Sequence, residues 1–281
     1  MNDDESNDGG SALKYHGLNF LDHSWAEKPY TEIREIGEAD GSILIVPVGS
    51  MEQHGYHMPV ATDTILADAV PHLGAERVAD SVPILVTPPI WTGYSPHHTA
   101  FGGTLTLDYT VLFHVLQNVL ACGVENGFDA VLLLNGHGGN SSLISGAVRT
   151  VGEGVSDAEV MCLTYFSLAE RFIDDVRESE IGGIGHAGEL KTSLMLYLRP
   201  DLVDEAEAEG VNQNEVEPYD LMFSDLMESA PLLVDRSFKE YTESGAIGAP
   251  EVADREKGGV IFELLGDEME VLLRDVYEHH R

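Results

Sequence analysis

The chain has 281 residues, 43% of them hydrophobic, enough to bury a substantial core in one large domain or two small ones. Its 49 acidic residues face 15 Lys plus Arg, and a net charge of −34 repels phosphate and argues against nucleic acid as a partner. No apolar run approaches the roughly 18 residues of a membrane helix, and the opening MNDDESNDGG is acidic where a secretory leader is basic, so a cytoplasmic protein with no membrane partner is expected.

Residues 1–12 read as a disordered acidic arm, and residues 13–281 as a single domain without an internal repeat or a linker rich in Pro, Gly or Ser. Apolar runs then alternate with helical stretches. SILIVPV (42–48) is followed by the helical TDTILADAVPHLGAERVAD, and PILVTPP (83–89) by a polar loop from Trp91 to Gly103 and the run TLTL. A helix around YTVLFHVLQNVLACG precedes the strand DAVLLLN (129–135), which leads into the helix SSLISGAVRTVGEG. Continuous apolar strands of this length between helices predict an α/β fold, a mostly parallel sheet covered on both faces. The polar segment from Asp204 to Glu217 reads as an exposed excursion. In the closing helix Ile261, Leu265, Met269, Leu272 and Val276 share one face, a core-packing stripe.

Cys122 and Cys162 are too few for a disulfide framework or a four-thiolate zinc site, and read as two thiols in a reducing compartment. The carboxylates are spread over the whole chain, and only five of the bases are lysines, which reads as a surface adapted to high salt.

In an open parallel sheet ligands bind where strands hand over to loops and helix N-termini. Three polar clusters fall at such places. GSMEQHGYHMPVATD (49–63) follows the first strand and offers Glu52, His54, His57 and Asp63, the last also a plausible cap for the next helix. NGHGGN (135–140) follows DAVLLLN and sets His137 between glycines that permit tight turns. GHAGELKTS (185–193) offers His186 and Glu189. Together Glu52, His54, Asp63, His137 and Glu189 form a nitrogen and oxygen set that suits Zn²⁺, Mn²⁺ or Fe²⁺ and lacks thiolate. Five ligands exceed what one catalytic zinc takes from protein, so two metals sharing a carboxylate are expected.

The ordered motifs GSMEQHGYHMP with TD, NGHGGN, and HAGE followed by TS resemble the creatininase (creatinine amidohydrolase) family. GAIGAPEVADREKG is similar to that family's closing GxxGxPxxAxxxKG pattern, and the similarity runs from about Trp25 to the C-terminus. The resemblance implies a three-layer α/β/α domain, assembly into a homo-oligomer, usually a hexamer, and two divalent metal ions at the strand ends. By motif position Glu52, Asp63 and His137 would hold one ion, and His54 and Asp63 the other, with Asp63 bridging. The family's glutamate two residues after the NGH histidine is Gly139 here, so the missing carboxylate is assigned to Glu189, as in relatives that carry NGHGGN. His186 resembles the family's proton shuttle, and Ser95 in WTGYSPHH a serine that contacts metal or substrate. His57, His97 and His98 are expected to support the site or the fold.

The implied reaction is hydrolysis of a non-peptide or cyclic C–N amide bond of a small molecule, with hydroxide generated between the metals as nucleophile and His186 as general acid. Creatininase proper uses tryptophans against a flat ring; here the corresponding segment is Tyr165-Phe166, GGIG precedes His186, and Lys191 stands where many relatives have glutamate. Alternatives within the same resemblance are a formamidopyrimidine-nucleotide deformylase of flavin or deazaflavin synthesis and a peptidase that matures a peptide cofactor. A non-catalytic binding protein of the same fold is the alternative from another class.

The acidic surface makes a prediction of its own. The melting temperature rises between dilute buffer and molar KCl as counterions screen the repulsion among carboxylates; a flat dependence in a thermal scan contradicts adaptation to salt.

Overall fold

The structure, a computed structural model, describes residues 23–216, 219, 221, 222, 225–227 and 231–281. The acidic arm expected over residues 1–12 lies outside them. In chain order the elements are α1 (Tyr30–Gly37), β1 (Ile43–Val48), α2 (Thr62–Val78), β2 (Ile84–Val86), α3 (Tyr109–Glu125) and β3 (Ala130–Asn135). They continue with α4 (Ser141–Gly152), β4 (Glu159–Thr164), α5 (Glu189–Leu198), the single turn α6 (Gln213–Val216) and α7 (Arg255–His280).

The four strands form one parallel sheet in the order β2-β1-β3-β4. Side chains of a strand alternate between faces, and here the alternation divides the core. Ile43 and Ile45 of β1 and Ala130, Leu132 and Leu134 of β3 pack with Leu66, Val70, Leu194, Phe262 and Met269 from α2, α5 and α7. Leu44, Val46 and Val48 of β1 and Val131 and Leu133 of β3 pack on the other face with Ile33, Leu112, Leu116 and Leu143 from α1, α3 and α4. The result is the three-layer α/β/α arrangement that the resemblance implies, with the sheet covered on both faces as the unbroken apolar runs predict. Because α2 lies between the sheet and α7, nearly all of it is buried. In α7, Ile261, Leu265 and Met269 are buried and Leu272 and Val276 pack against the same cluster, as the stripe predicts.

Some boundaries differ from the sequence reading. β2 covers only Ile84–Val86, because Pro88 and Pro89 lack the amide donors a ladder needs. The run TLTL makes only isolated bridges, Leu105 with Met51 and Thr106 with Gly93. β4 was not anticipated: it is an edge strand, partly exposed, and its apolar run is only the four residues VMCL. In the excursion, the described residues from Asp204 to Val216 are exposed or half-buried, and Glu217 lies outside the described residues.

Register places the motifs. Val48, the last residue of β1, pairs with Asn135, the last of β3, so the segments GSMEQHG and GHGGN leave the sheet side by side. Asn135 also pairs with Thr164 at the end of β4. The third motif is not carried on a strand end and is instead clamped by its neighbours. The amide of Ile247 donates to the His186 carbonyl at 2.8 Å and that of Ala249 to Gly183 at 2.9 Å, which lays the segment GAIGAP along the loop before α5. Asp225, buried, accepts from Arg177 at 2.7 Å and from the Gly182 amide at 3.0 Å.

The largest anchor of that loop is Glu189. Its carboxylate accepts from the amides of Glu178 (2.8 Å) and Ser179 (3.0 Å), from the Ser179 hydroxyl (2.5 Å) and from Lys257 Nζ (2.6 Å). Burial raises the Glu189 carboxyl, but the bonds from Lys257 and Ser179 outweigh burial and hold it below its ordinary value. A depressed carboxylate contributes stability above its unfolded pKa and loses it as pH falls through the folded one, so this anchor weakens in acid. Lys257→Met leaves a buried carboxylate without its cation and costs about 3–5 kcal/mol. Denaturant unfolding measures the loss; a cost below about 1 kcal/mol, that of an ordinary exposed pair, contradicts the anchor.

Candidate metal centre

The site grows from two fully buried carboxylates, Glu52 and Asp63. Glu52 leaves β1 in a segment whose amide donates to Val60 at 2.9 Å, and Asp63 lies in the first turn of α2. A carboxylate there gains from the positive end of the helix dipole, but the Asp63 side chain does not serve as the cap considered from sequence. Its oxygens go to opposite sides, Oδ2 at 3.0 Å from His137 Nδ1 and Oδ1 at 3.1 Å from His54 Nε2. His137 Nδ1 also lies 3.1 Å from Glu52 Oε1.

Close backbone approach brings His137 to Asp63. A Cβ on Gly136 would stand 2.6 Å from the Asp63 carbonyl and 2.7 Å from the Ala67 side chain, so only glycine lets the loop after β3 rest on α2. The flanking asparagines hold the loop's shape. Asn135 Nδ2 donates to the His137 carbonyl at 2.7 Å and its Oδ1 accepts the His137 amide at 3.1 Å. Asn140 bridges to Gly49, at 3.1 Å, and to the Tyr94 amide, at 2.9 Å. At Gly139 a Cβ would lie 2.4 Å from His137 Nε2 and 2.6 Å from the Tyr94 carbonyl, so this backbone leaves no room for the carboxylate that creatininase proper carries there.

Hydrogen bonding fixes which ring nitrogens face inward. His137 Nε2 lies 3.2 Å from the Tyr94 carbonyl, an obligate acceptor, so Nε2 carries a proton and Nδ1 faces the carboxylates. His54 Nδ1 donates to the Glu52 carbonyl at 3.1 Å, which leaves the Nε2 lone pair toward Asp63. His186 Nε2 donates to the Gln53 carbonyl at 2.7 Å, so its Nδ1 lone pair faces Glu52 Oε1 at 3.6 Å.

The charges follow from burial and these neighbours. Burial raises the Glu52 carboxyl, but His137 and His98 outweigh it, and the group lies well below the ordinary carboxylate range. Asp63 is also raised by burial and lowered further by Lys191 and His54, to the same effect. Burial lowers His137, yet Glu52 and Asp63 carry it up to about 10. His186 is held well below its ordinary value by burial, with His54 and His98 adding to the effect, and is a neutral imidazole.

One atom shows that these residues fit a metal. Glu52 Oε1 is buried and makes no hydrogen bond among the described residues, although nitrogens of His137, His98 and His186 surround it at 3.1, 3.3 and 3.6 Å. Ligand atoms of Glu52, Asp63 and His137 lie within 4.8 Å of one another, as do those of Glu52, His54 and His186. Ligands about 2.0–2.2 Å from a zinc ion stand about 3–3.5 Å apart, the spacing seen around His137 Nδ1. A divalent ion held by these three residues would take the place of the Nδ1 proton and neutralise both carboxylates.

Of the residues selected from sequence, Glu52, His54, Asp63, His137 and His186 converge. Glu189 does not: its carboxylate is committed to Lys257, Ser179 and Glu178, and the metal-ligand assignment is corrected to a loop anchor. Ser95 is fully buried, its hydroxyl 3.1 Å from His137 Nε2 and 2.6 Å from that of Ser50, which in turn donates to Glu52 Oε2 at 2.8 Å. It therefore positions two ligands and has no open side for the substrate expected there. His57 is buried with Nε2 3.0 Å from the Thr192 hydroxyl, a supporting role.

Sequence reasoning missed Gln53, and left His98 among the supporting histidines. Gln53 accepts the Gly55 amide at 2.9 Å and donates to Gly245 at 3.1 Å, so its Nε2 faces His98 Nδ1 at 2.8 Å and His98 Nε2 faces Glu52. Burial pushes His98 down to about 3, only partly offset by Glu52, and the ring is neutral. The available signal for Gln53 was its place between Glu52 and His54.

The creatininase family, described as creatinine amidohydrolase, matches residues 26–273. The creatinine amidohydrolase of Pseudomonas putida is 31% identical over 241 residues, covering 80% of this chain and 86% of that protein. The mycofactocin precursor peptide peptidase of Mycobacterium ulcerans is 29% identical over 231 residues, 80% of this chain and 82% of its own. A solved manganese form of creatininase superposes with a TM-score of 0.77 at 28% identity, covering 90% of this chain and 98% of that one. Among the described residues no helix is long and apolar enough to cross a membrane. The chain belongs to the creatininase family.

Proposed function

We propose that this creatininase-family amidohydrolase uses Glu52, Asp63 and His137 to hold a divalent ion and His186 to move the proton in hydrolysis of a small-molecule, non-peptide C–N amide bond. The observation that carries the reading is Glu52 Oε1, a buried carboxylate oxygen without a hydrogen bond that faces a cluster of inward-pointing imidazoles. A bound divalent cation supplies Lewis acidity, polarising the amide carbonyl and making water a nucleophile near neutral pH. Zn²⁺ and Mn²⁺ suit the nitrogen and oxygen donors, and Fe²⁺ is compatible with them.

The chain's own residues do the rest. The Glu52 and Asp63 carboxylates and His137 Nδ1 set the ion's place, while Ser95 and Tyr94 hold the far side of the His137 ring. His186 Nδ1, neutral and facing Glu52, takes the proton of the attacking water and passes it to the departing nitrogen. The Gln53 carbonyl fixes that ring through Nε2.

Burial supports a small substrate. The ligands are at most 3% exposed, and Phe238 packs over the rings of His98 and His186 with centroids 4.3 and 5.2 Å away. An extended peptide needs a more open groove than these residues leave. Tyr165 and Phe166 are buried, 0% and 6% exposed, and present no open ring face of the kind creatinine recognition uses. The low cysteine content accords with a reducing cytoplasm, and assembly into a homo-oligomer, a hexamer by resemblance, completes the reading.

Chelation abolishes hydrolysis and added Mn²⁺ or Zn²⁺ restores it. His186→Ala retains its metal and loses roughly 10² to 10⁴ in turnover with little change in KM, the usual worth of a positioned acid or base. Creatinine is a poorer substrate than a small formamide assayed on the same preparation. Activity that survives metal removal overturns the metal reading, an unimpaired His186→Ala removes that residue from the mechanism, and creatinine as the best substrate overturns the pocket argument.

A further inference from the structure

The resemblance implies two ions, and the second would lie between His54 and Asp63. That place is already taken by a cation of the chain itself. Lys191, in the first turn of α5, is only 3% exposed, and its ammonium donates to Asp63 Oδ1 and lies 3.5 Å from His54 Nε2. His54 Nε2 and Asp63 Oδ1 are both acceptors 3.1 Å apart, since His54 Nδ1 holds the ring's proton against the Glu52 carbonyl. Two lone pairs so close need a positive charge between or beside them, and Lys191 Nζ reaches both.

Charge balance points the same way. Glu52 and Asp63 supply two buried negative charges and Lys191 one positive; a single divalent ion brings the group to one net positive charge, which a hydroxide neutralises. A second divalent ion would bring it to three, in a setting where buried like charges repel strongly. The other possible position, among Glu52, His54 and His186, draws on the same His54 Nε2 lone pair. Nor does Gly139 or Glu189 offer the carboxylate a second ion needs.

We propose that this enzyme is mononuclear: one divalent ion sits on Glu52, Asp63 and His137, and the Lys191 ammonium is a fixed cation in the place of the second. The proposal rests on the metal-dependent reading above and concerns how many ions the site takes. It also gives Lys191 a positioning role, since the ammonium holds Asp63 Oδ1 and leaves Oδ2 for the ion on the His137 side.

The test is stoichiometry. Metal-free full-length protein titrated calorimetrically with Mn²⁺, with metal content checked by mass spectrometry after gel filtration, takes up close to one ion per chain. Lys191→Glu, which replaces the cation by a carboxylate on the same turn of α5, takes up close to two. A wild type that holds two ions overturns the inference and leaves the metal-dependent reading intact, whereas a wild type that holds none overturns both. A folded Lys191→Glu that still holds one overturns it as well. If that variant does not fold, Lys191→Gln replaces it: a second Mn²⁺ event at least about tenfold tighter than any in wild type supports the inference, and its absence in the folded variant overturns it.

Discussion

Two carboxylates buried beyond the reach of water are the constraint around which this protein is arranged. Glu52 and Asp63 are fully buried, and an isolated buried carboxylate costs far more than the fold as a whole can spare. Cations must therefore meet them, and the chain supplies one through His137, raised to about 10 by its two acidic neighbours, and another through Lys191. The arrangement is electrically closed without being chemically idle. In the proposed reading a divalent ion would replace the His137 proton, and His186 and His98, kept neutral by burial, lie around the same Glu52 oxygen.

Holding those charges within 3.0–3.1 Å of one another is a task for rigid surroundings. The sheet supplies part of the rigidity, since Val48 and Asn135 end their strands in register and launch two of the motifs together. The third motif has no strand beneath it, and His186 is followed by Ala187, a non-glycine residue at φ 58°. A left-handed turn of this kind persists only where its surroundings over-determine it. Glu189 with Lys257, Asp225 with Arg177, and the segment around Ile247 do so from three sides. The closing GAIGAP pattern is thus part of the scaffold of the candidate site, although it contributes none of the proposed ligands.

Much of this was legible in the sequence, for physical reasons that also mark where legibility stops. Strands buried on both faces are written as unbroken apolar runs, so β1 and β3 and the layers around them could be read directly. β4 is a half-buried edge strand whose apolar run is only the four residues VMCL, too short for its pattern alone to separate strand from helix. The cluster of Glu52, His54, Asp63 and His137 was visible because ligands in such numbers beside strand ends have little other use. Glu189 and Lys191 lie two residues apart on one helical turn, and sequence alone does not reveal which of them points at Asp63. The structure turns Lys191 toward the ligands and Glu189 toward Lys257. Ser95 and Gln53 act through other side chains, so their parts depend on contacts 42 to 192 residues away along the chain.

The central claim is that the buried carboxylates are shared between one metal ion and one lysine. Anomalous diffraction from crystals soaked in excess Zn²⁺ addresses it directly. A single peak about 2.0–2.2 Å from Glu52, Asp63 and His137 is expected, with the Lys191 ammonium still on Asp63. A second peak between His54 and Asp63, with Lys191 displaced, contradicts it.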